Sequence, residues 1–283
     1  MKAYIALPAV AALVYRAYSR KSLTPLGIAS AGMTGLAHAL HPFSLPFALL
    51  FVFYFGCMRA TRVKHEIKAK LTLNAAGGTG GEGTRIHTQV FANSLSGSLL
   101  CIMYALHYYL DVDEKPRYGQ CWTWGAGAST QDVLLVGIIA NYAAVTADTF
   151  SSELGILSTK PPRLITSRTF KRVPHGTNGG VSSVGTLAGV LEAFLIAVAT
   201  VILLPVCDGW SAWQNLFCLC TVTSCGLFGT LIDSFLGGCL QETIIDSDTG
   251  KVLEANGGKR VTPPSHHIHR MAFFFWPPTL FLF

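Results

Sequence analysis

The chain has 283 residues, of which 51% are hydrophobic and only 13% are charged, and its mean hydropathy is +0.43. So apolar a composition excludes an ordinary water-soluble domain and indicates an integral membrane protein. The formal net charge of +6 follows from basic loops between apolar segments, so it requires no nucleic-acid partner.

Eight apolar runs predict an all-α fold, a polytopic helical bundle with about seven (six to eight) transmembrane helices. The runs cover residues 3–15, 23–40, 43–58, 89–110, 131–157, 183–206, 213–237 and 271–283. A span needs roughly 17–25 residues, so the first and last runs are short for one. We expect one membrane domain over 1–283, with N-terminal helices and a basic, glycine-rich loop in 1–88, catalytic helices and loops in 89–241, and a divergent tail in 242–283.

The distribution of Lys and Arg predicts the orientation of the spans. If the amino terminus lies outside, nearly all the basic loops fall on one side, and only Lys2, Lys115 and Arg117 fall on the other. Positively charged loops remain in the cytoplasm, so the glycine-rich loops are expected on the cytoplasmic face. The sequence leaves the organelle open, with the endoplasmic reticulum as the working assumption.

Eight cysteines lie mostly within or beside the apolar runs, without Cys-x-x-Cys pairs or zinc-like spacing. We interpret them as small buried apolar residues and expect no structural disulfide. Cys121 and Cys207 form the single pair that we would test.

Carboxylates inside the apolar runs are costly in lipid unless they are paired or hydrated, which makes Asp148, Glu192 and Asp233 functional candidates. Other polar candidates in the runs are Asn93, Asn141, Ser152 and Ser234. The many glycines in the apolar runs are expected to let neighbouring helices pack closely. An ion or proton path through a transporter is the alternative interpretation of the acids.

Asp148 and Glu153 provide oxygen ligands of the kind that Mg²⁺ prefers. They are five residues apart, about 140° around an ideal helix, so they would share a metal only if the helix ended or unwound near Gly155. Asp233 is the third predicted ligand. The alternative is a structural polar network between helices.

A basic loop follows the second carboxylate. Its candidate phosphate-binding residues are Arg163, Ser167, Arg168, Lys171 and Arg172. These cations would neutralise a triphosphate or, alternatively, hold the loop at the anionic cytoplasmic leaflet. The next segment favours phosphate, because glycines before a helix permit positive φ and present backbone N–H groups to an anion. It contributes His175, Gly176, Thr177, Asn178, Gly179, Gly180 and Ser182.

Several of these segments resemble the transmembrane protein 19 family. The segments are Ala147–Gly155, Pro162–Thr166, Pro174–Ser182 with Gly185–Ala188, and Gly226–Ser234, and upstream Arg85 and Gln89–Asn93. The plant member of the vitamin E pathway in that family is a phytyl phosphate kinase. The order of residues in Ser167–Gly180 is also similar, over a shorter length, to a loop of dolichol kinase and CDP-diacylglycerol synthase.

The residues and the resemblance together imply a membrane isoprenyl (phytyl-type) phosphate kinase. It would transfer a phosphoryl group from a nucleoside triphosphate, with CTP as the expected donor, to a prenyl monophosphate. The expected catalytic residues are Asp148, Glu153, Asp233 and Lys171, with Mg²⁺ bound by the three carboxylates. The expected partners are the lipid-phosphate substrate and membrane lipids.

The carboxyl end departs from the family, which closes with an asparagine-containing hydrophobic helix. Here Pro263–Arg270, which includes His266, His267 and His269, leads into a short aromatic tail. If the missing helix lines the site, the protein is expected to be inactive, so an inactive or structural membrane protein is a further alternative.

Overall fold

The computed structural model describes residues 3–73, 84–110, 121–122, 129–207, 209–246, 249–253 and 268–271. Residues 74–83, which hold most of the glycines of the loop predicted within 1–88, lie outside the described residues. So do Lys115, Arg117, His266, His267 and almost all of the last apolar run.

Each of the first seven apolar runs forms a helix close to its predicted bounds, and a short helix follows the third. The helices are α1 (Ala3–Ser19), α2 (Pro25–Ala39), α3 (Leu45–Arg62), α4 (His65–Leu71), α5 (His87–Leu110), α6 (Thr130–Gly155), α7 (Ser183–Leu203) and α8 (Ala212–Leu240). Five of them, α3, α5, α6, α7 and α8, are long and apolar enough to cross a membrane. With 17 and 15 residues, α1 and α2 are short for a span. The polytopic helical fold is confirmed.

Local capping explains where two of these helices begin. The Thr24 side chain accepts from the Gly27 N–H at 3.2 Å at the start of α2, where Pro25 occupies the first turn. At the start of α6 the Ser129 hydroxyl accepts from the Asp132 N–H at 3.1 Å, and the Asp132 carboxylate accepts from the Ser129 N–H at 3.4 Å. This reciprocal pair is a capping box.

Short strands lie between and after the helices, which the all-α prediction did not include. They are β1 (Thr72–Leu73), β2 (Arg163–Leu164), β3 (Gly180–Val181), β4 (Thr243–Asp246), β5 (Val252–Leu253) and β6 (Ile268–Met271). One sheet has the order β1-β5-β4-β6, with β1 parallel to β5 and the other pairs antiparallel. Strands β2 and β3 pair antiparallel by themselves, with Leu164 opposite Gly180. Segments of two to four residues are too short to show an alternating pattern.

The chain separates into two compact units, which we describe individually. The first unit comprises Met1–Gly56, Thr84–Thr146 and Leu191–Gly226, and the second comprises Cys57–Gly83, Ala147–Val190 and Leu227–Phe283. The single membrane domain remains a prediction.

The first unit contains an apolar core from α3, α5, α6 and α7, which includes Leu49, Leu135 and Ile138, all without exposed surface. Two pairs of buried polar groups lie in this unit. The Tyr142 hydroxyl lies 2.6 Å from His38 Nε2, and the hydroxyls of Thr34 and Ser94 lie 3.0 Å apart.

The expectation of no structural disulfide is wrong at one pair. Cys121 and Cys207, in the first unit, are joined by a disulfide, while the other six cysteines are free. The flanking backbone is also paired, because the Trp122 N–H donates to the Pro205 carbonyl at 2.6 Å. Cys121 precedes α6 and Cys207 follows α7, so neither lies inside a helix. The interpretation of these two cysteines as small buried apolar residues therefore does not apply.

Candidate functional site

The second unit contains an open polar cavity of ≈ 600 Å³. Its lining comes from the ends of α3, α6 and α8, from α4, from the loop between α6 and α7, and from β1, β4 and β5. This volume lies within the range of about 300–1,000 Å³ that is typical of small-molecule sites.

Two predicted aspartates line the cavity from neighbouring helices. Asp148, on α6, accepts a hydrogen bond at 3.0 Å from the hydroxyl of Thr230, which is 2% exposed on α8. Asp233, on α8 one turn after Thr230, also lines the cavity. The two carboxylates therefore share one polar space, and one of them is held in place.

Glu153, the third predicted metal ligand, also lines the cavity but forms an ion pair with Lys68 at 2.6 Å. The Thr61 hydroxyl donates to the other Glu153 oxygen at 3.1 Å. Glu153 is thus held by groups from α3 and α4.

That Asp148, Glu153 and Asp233 bind one metal together stays a prediction. Within the described part of the chain, no three His, Cys, Asp or Glu side chains are grouped so that they could hold a metal ion. The sharing required α6 to end or unwind near Gly155, and α6 does end at that residue, but it is a continuous helix from Asp148 to Glu153. Asp148 and Glu153 consequently keep different directions around the helix.

The loop before α7 has the predicted left-handed turns. Gly176 and Gly179 have φ of 84° and 77°, which confirms the positive φ expected for this segment. A Cβ at Gly179 would lie 2.6 Å from the Gly238 Cα, so the loop packs against the end of α8. Among the described groups, none accepts a hydrogen bond from the N–H of Gly176 or Gly179.

Other residues of this loop hold its shape. The Asn178 side-chain amide donates to the Glu242 carbonyl at 3.2 Å, and its N–H donates to the Thr243 hydroxyl at 3.1 Å. The Thr177 hydroxyl donates to the Pro174 carbonyl at 2.8 Å, and the Thr177 carbonyl accepts from the Gly180 N–H at 2.9 Å. Thr177, Asn178 and Gly180 line the cavity, but these atoms are used to fold the loop.

Ser182 and His175 line the cavity in different ways. The Ser182 hydroxyl caps α7 by accepting from the Gly185 N–H at 3.2 Å, and it donates to the Gly155 carbonyl at 3.2 Å. His175 Nδ1 is buried and has no hydrogen-bond partner among the described residues.

The cations of the basic loop are not part of the described cavity lining. Its cations Arg163, Arg168, Lys171 and Arg172 are exposed, and none of them lines the cavity. Backbone pairing folds this loop on itself, since the Leu164 N–H donates to the Lys171 carbonyl at 2.9 Å. The Ser167 hydroxyl accepts from the Lys171 N–H at 3.4 Å. The structure does not bring Lys171, predicted to be catalytic, to the carboxylates.

The remaining polar candidates divide between the units. Ser152 and Ser234 line the cavity. Asn93, Asn141 and Glu192 belong to the first unit and do not line it. Glu192 is 5% exposed, and the Asn93 amide donates to the Gln89 carbonyl at 2.9 Å on its own helix.

The close packing expected of the intramembrane glycines is confirmed. A Cβ at Gly185 would lie 2.5 Å from the Ser151 carbonyl oxygen, and one at Gly189 would lie 2.8 Å from the Ala147 carbonyl oxygen. These glycines let α6 and α7 approach closely beside the cavity.

Sequence reasoning missed Lys68 and Thr230. Lys68 belongs to a basic stretch in which nothing distinguishes it from its neighbours, because its role depends on contact with a residue 85 positions away. Thr230 was detectable in principle, since it lies three residues before Asp233 and so on the same helical face.

The fold and the cavity define a polytopic membrane protein with a carboxylate-lined site at the ends of its helices. The chain belongs to the family described as "Integral membrane protein DUF92", which it matches over residues 8–271. It is 32% identical to "Protein PGR" of Arabidopsis thaliana over 252 residues, which cover 87% of this chain and 81% of that protein.

Two further relatives match over shorter lengths. "Uncharacterized membrane protein MJ0933" of Methanocaldococcus jannaschii is 44% identical over 107 residues, 38% of this chain and 40% of that protein. "Protein VTE6, chloroplastic" of Arabidopsis thaliana is 41% identical over 71 residues, 25% of this chain and 21% of that protein. No solved structure matches the chain.

Proposed function

We propose that the protein is a membrane-embedded isoprenyl phosphate kinase of the phytyl phosphate type. It transfers a phosphoryl group from a nucleoside triphosphate, with CTP as the expected donor, to a prenyl monophosphate. The observation that carries the proposal is the cavity, where carboxylates, a lysine and a glycine-rich turn line one space. Phosphoryl transfer depends on positioning and on charge stabilisation, so it needs no covalent nucleophile.

Family membership supports this proposal. The plant member of the vitamin E pathway is a phytyl phosphate kinase, and 71 residues of the chain are 41% identical to VTE6. The cytoplasmic orientation of the cavity and a location in the endoplasmic reticulum are part of the proposal.

The charge of the cavity supports a magnesium ion. Among the described lining residues, the acids Asp148, Glu153, Asp233 and Glu242 outnumber the single lysine, Lys68. Mg²⁺ is usually bound by one or two carboxylates together with substrate phosphates, so Asp148 and Asp233 suffice as protein ligands. When bound, the ion would neutralise charge on the phosphates.

The residues of the chain have separate roles in this proposal. Thr230 holds the Asp148 carboxylate in one orientation. The N–H groups of Gly176 and Gly179 bind phosphate oxygens, as backbone amides at left-handed turns do. His175, which also lines the cavity, is a hydrogen-bonding neighbour of the phosphate.

The test is an assay of purified protein with labelled CTP or ATP, Mg²⁺ and a panel of prenyl monophosphates. We expect labelled prenyl diphosphate from the wild type, and a loss of at least about a hundredfold in Asp148→Asn, since a group that binds the phosphate-bridging ion acts in the transition state. Asp132→Asn is the matched control, because Asp132 lies on the same helix and in the first unit. Absence of product with every substrate contradicts the proposal, and ion flux into liposomes without nucleotide would favour the transporter.

A further inference from the structure

Lys68 is the one Lys or Arg side chain of the described residues that lines the cavity. It lies on α4, and its ammonium group has three acceptors. They are the Glu153 carboxylate at 2.6 Å and the carbonyls of Ala60 and Thr61 at 2.8 Å and 3.2 Å. An ammonium group has three hydrogens, so protein atoms satisfy it completely in this state.

The ion pair of Lys68 and Glu153 is partly withdrawn from water. The two side chains are 11% and 15% exposed. The Thr61 hydroxyl, which donates to Glu153 at 3.1 Å, comes from the same turn of α3 that provides two of the Lys68 acceptors. Two of those acceptors are fixed backbone carbonyls, whereas the carboxylate lies on a side chain that has rotatable bonds. Glu153 is therefore the exchangeable partner.

A phosphorylated substrate enters a cavity in which four acids face it, among the described lining, against one lysine. Two of those acids, Asp148 and Asp233, are assigned to a metal ion in the proposed function. Glu153 remains a negative charge next to Lys68. A phosphate group competes well for a lysine, because charged hydrogen bonds to phosphate are short and strong. The flexible stem of lysine permits such a change of partner.

We propose that Lys68 binds a substrate phosphate, and that Glu153 is its resting counter-ion and not a metal ligand. The inference rests on the proposed kinase function, because it uses the same cavity and the same substrates. Entry of the phosphate exchanges the Glu153 carboxylate for a phosphate oxygen at Lys68, with the two backbone carbonyls kept.

The first test measures KM for the nucleotide and for the prenyl monophosphate separately, each with the other at saturation. We expect Lys68→Met to raise one of the two KM values by about tenfold or more, which identifies the phosphate that Lys68 binds. Lys68→Arg is expected to recover part of the loss. Lys70→Met is the matched control, because Lys70 is an exposed lysine on the same helix that does not line the cavity.

Glu153→Gln separates the two possible roles of Glu153. If Glu153 is a counter-ion, the variant keeps the wild-type Mg²⁺ concentration for half-maximal activity, and the KM that depends on Lys68 falls or is unchanged. If Glu153 is a metal ligand, the Mg²⁺ requirement rises severalfold, and this result overturns the inference.

The double variant with Lys68→Met and Glu153→Gln controls for folding, because it removes both charges. If Lys68→Met folds poorly and the double variant folds normally, the defect comes from the unpaired Glu153 carboxylate. In that case KM is compared between the double variant and Glu153→Gln.

Binding of labelled CTP and of labelled prenyl monophosphate, measured without turnover, distinguishes failure of the inference from failure of the proposed function. A wild type that turns over substrate, with unchanged KM values and unchanged binding in Lys68→Met, overturns the inference alone. A wild type that binds either ligand without turnover contradicts the proposed kinase activity. The inference about Lys68 is then kept if Lys68→Met loses that binding, and it is overturned if the variant binds as the wild type does. A wild type that binds neither ligand overturns both.

Discussion

The first unit and the second unit place polar side chains in different surroundings. In the first unit, the His38 ring lies against Tyr142 and Thr34 lies against Ser94, all among buried residues. In the second unit, Asp148, Asp233 and the turn at Gly179 border a cavity of ≈ 600 Å³. Both hydrophobic clusters of the described residues belong to the first unit.

This difference indicates that a polar residue in an intramembrane helix either stabilises the fold or contacts a ligand. Where its hydrogen bonds are made by neighbouring side chains, it stabilises the fold, and its removal should cost stability alone. Where it borders open space, its remaining hydrogen-bonding capacity is available to a ligand. Substitutions in the first unit should therefore change unfolding, and substitutions in the second should change kinetics as well.

Gly179→Ala is expected to have the largest effect. The left-handed φ costs about 1–2 kcal/mol for an L-residue, and a Cβ placed 2.6 Å from the Gly238 Cα adds overpacking of about 1–3 kcal/mol. We expect a lower midpoint of thermal unfolding in detergent and loss of prenyl diphosphate formation. Gly250→Ala is the control, since Gly250 has φ of 67° and no atom within 4 Å of its added Cβ. Equal effects of the two substitutions would show that the packing against α8 is unimportant.

Removal of the disulfide in the first unit should cost about 2–4 kcal/mol of unfolding free energy. We expect Cys121→Ser with Cys207→Ser to lower the unfolding midpoint while KM for both substrates stays unchanged. Non-reducing electrophoresis after alkylation checks that the wild type contains the bond. A large change in KM would show that the first unit also affects substrate binding, which contradicts the difference drawn between the units.

Tyr142→Phe is expected to cost about 1–3 kcal/mol, because it leaves the buried His38 Nε2 without its partner at 2.6 Å. The measurement is again thermal unfolding together with KM, and KM should not change. Tyr109→Phe provides the control, since Tyr109 is 58% exposed. If the variant folds as well as the wild type but has an altered KM, the hydrogen bond between Tyr142 and His38 contributes to substrate binding instead of stability.

Neutralisation of the basic loop should have the smallest effect on kinetics. Arg168→Gln, Lys171→Gln and Arg172→Gln together are expected to change KM less than about twofold, because these exposed side chains do not line the cavity. The attraction of this loop to anionic lipid headgroups should weaken instead, by about 1 kcal/mol for each cation. A tenfold rise in KM would restore the phosphate role that the sequence predicted for this loop.

The sequence predicted the helices well because a span imposes a long apolar run. The seven described runs became helices, and the motif Gly176–Gly180 adopted the left-handed turns expected of its glycines. The short strands were missed because segments of two to four residues carry no periodic signal. The disulfide was missed because Cys121 and Cys207 are 86 residues apart, and only the fold brings them together.

The candidate site was predicted in part. Asp148 and Asp233 were chosen because carboxylates in spans are costly, and both line the cavity. Lys171 was chosen from its position in a basic loop, yet it is exposed, and Lys68 takes the place beside a carboxylate. Local charge density does not show which cation points towards a site 85 residues away in sequence.

The sequence by itself determined that this protein resides in a membrane, roughly where its long helices lie, and which acids are costly in lipid. These properties depend on side-chain chemistry and on periodicity along a short segment, so they are readable locally. Only the tertiary structure decided that Asp148 is hydrogen-bonded to Thr230 while Glu153 pairs with Lys68. The reason is that a continuous α6 points Asp148 and Glu153 in different directions, and the partners of each come from segments distant in the chain.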